Sequence, residues 1–274
     1  MCILLKVTRS AYYHWLASPT TPQTIVNERL ADLIRYIYEA DDDKGYRRIR
    51  DDLVNDFDLK VNDKRVLRIC RKLHIQSKIK HSANSITRAA KSPYHTAKNY
   101  LNRNFHAEKP NQKWLNDVTE FKYFVGVEVR KVYLSAILDL ADRRIVSFVI
   151  SNRNDNQLVF QTFDQAVAAE PTAHPLFHSD RGFQYTSKSF CTKLKQTGMK
   201  QSMSRVARCI DNGPMEGFWG MLKREKYYRR KFTSRESVVH MIERYIDYYN
   251  NGRYQRCLKT QTPMQCHQAL LMVA

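Results

Sequence analysis

The sequence has no apolar run approaching the roughly 20 residues that a bilayer-spanning helix needs, and its opening MCILLKVTRS is too short in its apolar part for a secretory signal. A membrane partner is therefore not expected. The six cysteines, Cys2, Cys70, Cys191, Cys209, Cys257 and Cys266, form no CxxC pair. Scattered thiols fit a reducing cytoplasm and speak against a zinc site, although Cys70 and His74 share a helix face by spacing alone. There is no internal repeat, and no heptad run of the about three heptads or more that a zipper needs. Acidic residues are missing from Lys64 to Arg103, a stretch with eleven Lys and Arg. Such a run contacts phosphate or stays a solvated face and linker, and taken alone the two readings are equal.

What is present is base and core. Lys and Arg number 46 against 27 Asp and Glu, a net charge of +19, and 43% of the 274 residues are hydrophobic. The charge favours a polyanionic partner over a merely basic soluble protein. In the first hundred residues, Ile25, Leu30, Leu33, Ile34 and Ile37 recur at helical spacing. Two short helices follow, over about Tyr46–Asn55 and Asp63–Leu73, joined by a turn, and suggest a helix-turn-helix. Arg47, Arg48, Lys64, Arg65 and Arg68 are its candidate DNA contacts.

From Lys113 the pattern changes. WLNDVTEFKYF, VYLSAILDL and RIVSFVI read as strands, and alternating helices and short strands follow, indicating a mixed α/β sheet. Thr233-Ser-Arg-Glu236 reads as a capping box opening a last long helix, which Asn250-Asn-Gly252 stops. The organisation expected is a basic helical region over 1–81, a linker over 82–112, a catalytic α/β core over 113–232 and a helical extension over 233–274.

Phosphodiester chemistry needs converging carboxylates that hold hard divalent cations. Asp117 lies in the first strand, Asp180 ends the short strand PLFHSD before an Arg-Gly turn, and Glu216 lies in the first turn of a helix that Asp211 or Asn212 can cap and whose start suits Pro214. At 100° per residue Glu216, Gly220, Lys223 and Tyr227 share one face, with Phe218, Met221 and Leu222 opposite. Taken alone, that helix is better explained by an ordinary amphipathic element with a surface acid and base. Glu120 falls on the other strand face from Asp117. Asp139 and Asp142 suit turn or surface contacts, His178 a metal ligand or a loop brace, and Cys191 and Cys209 buried small positions.

Together these segments resemble the second reading frame of the IS-three family of insertion sequences, over nearly the whole chain. The resemblance rests on WLND117VT, on HSD180RGFQY and on SRVARCIDNGPMEGFWGMLKRE, with 35 residues between Asp180 and Glu216. KGYRRIRDDL, VNDKRVLRICRKLHI and the ending YYNNGRYQRCLKTQTPMQ agree with the family's flanks. One departure is Ala207, where many relatives have Gly. The resemblance implies an RNase H-like integrase core preceded by a small all-α helix-turn-helix-like domain. It implies an Asp117–Asp180–Glu216 triad binding two Mg²⁺ or Mn²⁺ ions, with Lys223 contacting DNA near the cleaved end. It also implies double-stranded DNA substrates in the bacterial cytoplasm, at the nucleoid: the element's terminal inverted repeats and a target. The upstream-frame product would join as fusion or partner, on a homo-oligomer assembled on DNA. Competing readings are an inactive DNA-binding relative, separated by a nicking assay; a plain RNase H-type nuclease, separated by a joining assay; and a chromatin-like binder, for which the motif block would be accidental.

Overall fold

Side-chain oxygens open two helices of the N-terminal region. Thr21 accepts from the Thr24 amide at the head of α2 (Pro22–Ala40), and Asn62 accepts from the Arg65 amide at the head of α4 (Asp63–Lys72). Between them lies α3 (Tyr46–Asn55), so the helix-turn-helix pair falls where the sequence places it; α1 (Arg9–Ala17) buries none of its side chains. Leu30, Ile34 and Ile37 of α2 meet Ile49 and Leu53 of α3 and Val66, Ile69 and Cys70 of α4 in a small core. Ile25, expected on the same stripe, is exposed. This computed structural model describes residues 2, 7–17, 21–79, 95–205 and 209–273, which divide into units over 1–78 and 79–274. Among the described residues no helix is long and apolar enough to cross a membrane. Ala207 lies outside them.

In the second unit β1 (Lys113–Val125), β2 (Glu128–Asp139) and β3 (Ile145–Ser151) form an antiparallel meander. Helix α5 (Asn156–Ala169), capped by Asp155, then leads to β4 (Leu176–Ser179), and α6 (Lys188–Gln196), capped by Ser187, to β5 (Lys200–Met203). The sheet order is β3-β2-β1-β4-β5, with β4 parallel to β1 and β5 parallel to β4. Two more helices, α7 (Gly213–Leu222) and α8 (Arg235–Asn251), are followed by α9 (Pro263–Val273).

Alternation along β1 separates two cores. Leu115, Phe121 and Tyr123 join Met215, Phe218 and Leu222 of α7 and Val238, Ile242, Tyr245 and Tyr249 of α8 on one face. Trp114 and Val118 join Val159 and Phe163 of α5 and Phe190 and Leu194 of α6 on the other. Asp117 has the parity of the α7 face, and Glu120 the opposite parity.

Three local expectations are revised. The cap of α8 is Ser234, whose hydroxyl accepts from the Ser237 amide, one residue beyond Thr233. The helix carrying Glu216 is not regular throughout: after Leu222 a π-helical turn spans Lys223–Tyr227, with the Tyr228 amide bonding the Lys223 carbonyl, five residues back. That extra residue shifts Tyr227 relative to a straight α-helix, and its hydroxyl docks on the Lys122 backbone. Lastly, the described half of the segment read as linker, 95–112, is bound to the core: Leu101 is buried, and the Tyr100 and Leu101 amides both donate to Ser202 Oγ. It is fastened to β5 through the Ser202 and Met203 side chains.

Candidate active site

Strand register brings the first two acids together. β1 and β4 are parallel with Leu115 opposite His178, so two residues further along lie Asp117 and Asp180. Asp180 Oδ1 accepts from the Gly182 amide at 2.8 Å, and a Cβ at residue 182 would stand 3.0 Å from that same oxygen and 2.9 Å from Gln184 Oε1. A side chain at residue 182 would thus crowd the Asp180 carboxylate and shift it by a few tenths of an ångström, which favours glycine in the HSDRG turn. The third acid arrives on α7. Three residues past Glu216, the Trp219 indole N–H donates to Asp117 Oδ2 at 3.0 Å, pinning that helix to the strand. Trp219 was missed by sequence reasoning, because an indole on a helix flank looks like core.

Burial first, then the neighbouring Asp180 charge, raises the Asp117 carboxyl well above its ordinary range; Trp219 opposes the shift and Glu216 adds to it. Asp180 is also raised by burial, against its Gly182 bond. Neither is ion-paired among the described residues. Lys223, desolvated and lowered for that reason, feels the charge of Asp117 while its ammonium lies 5.3 Å from the Phe121 ring centroid. The Tyr185 hydroxyl is fully enclosed without a hydrogen-bond partner, as are Asn116 Oδ1 and Asn212 Oδ1. The Tyr185 hydroxyl feels the charges of Asp180 and Asp117, and surplus negative charge beside an orphaned oxygen suits a hard divalent cation. The three acids form an open set: among the described residues, the one group of three acidic, His or Cys ligand atoms within 4.8 Å of each other is Asp41, Asp42 and Asp43.

An integrase core domain family matches residues 107–209, another integrase core domain family matches 216–271, and an HTH-like domain family matches 26–83. The putative transposase of insertion sequence element IS150 from Escherichia coli strain K12 is 35% identical over 95% of this chain and 89% of that protein. The chain belongs to the IS-three family of insertion-sequence transposases. The 31 kDa protein of insertion element IS600 from Shigella sonnei agrees, at 31% identity over 96% of both chains. Among solved structures, the simian T-cell lymphotropic virus intasome in complex with the PP2A regulatory subunit B56 gamma shares the fold, with a TM-score of 0.50 and 16% identity over 86% of this chain and 73% of that one. The fold is the RNase H-like integrase core expected, and the transposase is a DDE-type polynucleotidyl transferase that cleaves DNA and transfers strands.

The other polar candidates have structural partners. His178 is buried between Ser202 and Ser204, 2.8 and 3.1 Å from their hydroxyls, and burial pushes it down to about 4; both ring nitrogens are engaged, so it ties β4 to the end of β5. Asp211 is not a cap. It accepts from Arg205, Arg103 and Asn99, and the Arg205 contact chiefly holds it below the usual carboxylate range. Asp139 and Asp142 are buried turn acceptors rather than surface groups: Asp139 takes the Asn111 and Ala141 amides, and Asp142 the Arg144 amide and His267. Glu120 pairs with Lys131. Cys191 is partly buried; the side chain of Cys209 lies outside the described residues.

In the HTH-like unit the candidate cations divide. Lys64 and Arg68 are exposed one turn apart on α4, and Arg71 and Lys72 extend that face. The last two were missed, though their i+3 and i+4 spacing from Arg68 could have found them. Arg65 bonds Asn27 Oδ1 through two nitrogens, and Arg48 is largely buried with Asp41 3.8 Å away. Arg47 is exposed and contacts the Tyr46 hydroxyl and ring.

Proposed function

We propose that Asp117, Asp180 and Glu216 form the catalytic triad and hold divalent cations, two Mg²⁺ or Mn²⁺ ions, at the ends of an insertion sequence. The observation that carries this reading is the meeting of Asp117 and Asp180 at the parallel β1–β4 seam, with Trp219 of the Glu216 helix bonded to Asp117. Cations bound there would activate the attacking oxygen and stabilise the leaving one. The chain's own residues supply the frame. Gly182 fixes the Asp180 carboxylate, Trp219 fixes Asp117, and Lys223, close enough to feel the Asp117 charge, would hold a DNA phosphate beside the cleaved end. Water attacks first and frees a 3′-hydroxyl; that hydroxyl then attacks a second phosphate, so each step breaks one P–O bond as it forms another.

In this reading residues 1–81 contact DNA through phosphates, with Arg47, Arg48, Lys64, Arg65 and Arg68 contributing. Residues 82–112 join them to the catalytic region over 113–232, which 233–274 braces. Terminal inverted repeats and target are the duplex substrates. The upstream-frame product, as fusion or partner, supplies end selectivity, and a homo-oligomer assembles on DNA at the bacterial nucleoid.

The test is Asp180→Asn. It is expected to bind duplex DNA as the unchanged chain does and to lose both metal-dependent cleavage and strand transfer. Retained Mg²⁺-dependent joining would sink the triad.

A further inference from the structure

A groove of about 650 Å³ lies on the β5 side of the catalytic unit, outside the acid site. One wall is α6, which presents Lys188, Thr192 and Lys195 at helical spacing; the other is the segment 95–100, with Lys98 and Tyr100; Lys200 of β5 stands on the floor. Four exposed lysines therefore line one groove, no acidic side chain lines it, and none of the four is ion-paired among the described residues. The contrast lies on the same helix: Lys193, which does not line the groove, is neutralised by Asp164 at 2.7 Å.

The groove is built. Its outer wall is fastened to β5 by the Ala97 amide on Met203 Sδ and the Tyr100 amide on Ser202 Oγ, and to the Asp180 turn by the His95 amide on the Thr186 carbonyl. The Lys200 ammonium sits 3.6 Å from the Tyr100 ring centroid, a contact that orients it while leaving its charge uncompensated. Topology gives the groove a direction. α6 starts just after the turn carrying Asp180 and runs back along the sheet, while Lys200 lies level with Leu176 at the far end of β4. Lys188 thus stands at the acid end. Lys195 lies about 10 Å further along the helix, roughly the axial rise of three phosphates on one DNA strand.

We propose that this groove holds the phosphate backbone of duplex DNA as it leads away from the reacting phosphate, a contact surface separate from the HTH-like unit and from Lys223. The proposal rests on the reading of Asp180 as part of the active site. Four unpaired cations spaced along a fixed channel match a regularly charged polyanion better than any small ligand, and Tyr100 contributes position rather than sequence reading.

The test is the salt dependence of duplex binding by the full chain carrying Lys195→Gln and Lys200→Gln together, followed by fluorescence anisotropy. Losing two phosphate contacts should lower the slope of log affinity against log salt by about two and weaken binding by about tenfold at moderate salt. The paired Lys195→Arg and Lys200→Arg variant should keep the slope, which separates charge from damage to the fold. A Gln variant with the unchanged slope overturns the proposal, as does an Arg variant that loses as much slope as the Gln one. Repeating the measurement in the Asp180→Asn background keeps the two readings apart: strand transfer reports on the active site, the salt slope on the groove.

Discussion

Asp211 and Glu225 are buried acids with arginines in contact, whereas Asp117 and Asp180 are packed against protein with no cation paired to either among the described residues. Asp211 is clamped by Arg205 through two nitrogens, 2.8 Å to each carboxylate oxygen, and by Arg103 at 2.7 Å. Glu225 receives Arg253 at 2.8 Å and the Tyr245 hydroxyl at 2.9 Å. In both structural sites the carboxylate charge is matched by donors in fixed geometry. At the β1–β4 seam the charge is left in surplus: burial lifts both carboxyls, and the Asp180 charge lifts Asp117 further. Asp139 is raised in the same way by burial and the Asp142 charge, but two backbone amides, Asn111 and Ala141, hold it in a turn; a surplus at a strand end beside a helix start is what the proposed cation site would draw on.

The largest effect that could break this contrast is expected from Asp117→Asn. Strand transfer should fall by about a thousandfold or more, equivalent to about 4 kcal/mol of barrier. The metal-free melting temperature should hold or rise, because the variant removes a carboxylate whose ionised form is disfavoured in the fold. The sign follows from linkage: a carboxyl raised on folding contributes most when protonated, so its contribution declines as pH rises from the ordinary carboxylate range through the raised value. The gain in melting temperature on adding Mg²⁺ should vanish in the variant. A metal-free chain destabilised by this substitution would place Asp117 with the structural acids.

Next in size is Arg253→Met. It strands Glu225 in the core without its cation, and urea unfolding should show a loss of about 3–5 kcal/mol. Adding Glu225→Gln in the same chain should recover part of that loss, since the stranded charge is gone. A loss below about 1 kcal/mol would show that Tyr245 and solvent suffice, and would weaken the distinction between matched and unmatched acids.

How much of this was legible in the sequence follows from what is local. The limits of α3 and α4 could be read because Asn62 caps one helix and apolar spacing marks both. That Asp117 lies in a strand, Asp180 just past a strand end and Glu216 in the first turn of a helix could be read because strand patterns, an Arg-Gly turn and a helix start sit in linear order. What escaped depends on distant partners. Trp219 and Asp117 are 102 residues apart, Arg253 and Glu225 are 28 apart, and no periodicity links either pair. The segment 95–112 looks like a linker because its composition is polar, yet its order comes from Ser202 and Met203 about a hundred residues on. The π-helical turn at Lys223–Tyr227 leaves no local mark at all; it accommodates Tyr227 on the Lys122 backbone.

A smaller effect should come from His178, which shows the opposite charge handled by burial. Desolvation drives it down to about 4, against the pull of Asp211. Its neutral form therefore supports the fold fully above its unfolded value of about 6.5, and that support drains away as pH falls toward 4. Chemical unfolding at pH 7 and pH 5 should show a decline for the unchanged chain and a shallower one for His178→Gln. Equal slopes would mean that protonated His178 is tolerated between its two serines.

The smallest and most discriminating change is Trp219→Phe. It keeps an aromatic ring in the Phe218–Tyr245–Tyr249 cluster and removes one N–H from Asp117 Oδ2. Two effects oppose each other. Freeing an oxygen gives a cation one more lone pair, whereas losing a donor makes the ionised carboxylate harder to maintain and frees its rotamer. A hydrogen bond to a charged group contributes about 1.5–3 kcal/mol, and it also fixes the side-chain geometry that a hard cation demands, so the second effect should win. Mg²⁺ affinity measured calorimetrically on the chain without DNA should fall by up to about tenfold, with the deficit widening below neutral pH, where protons compete best. Because an aromatic ring still fills the site, the melting temperature should fall by no more than roughly a few degrees. Tighter Mg²⁺ binding by the variant would reverse the assignment: Trp219 would then be a lock on Asp117, to be displaced before the acid can serve.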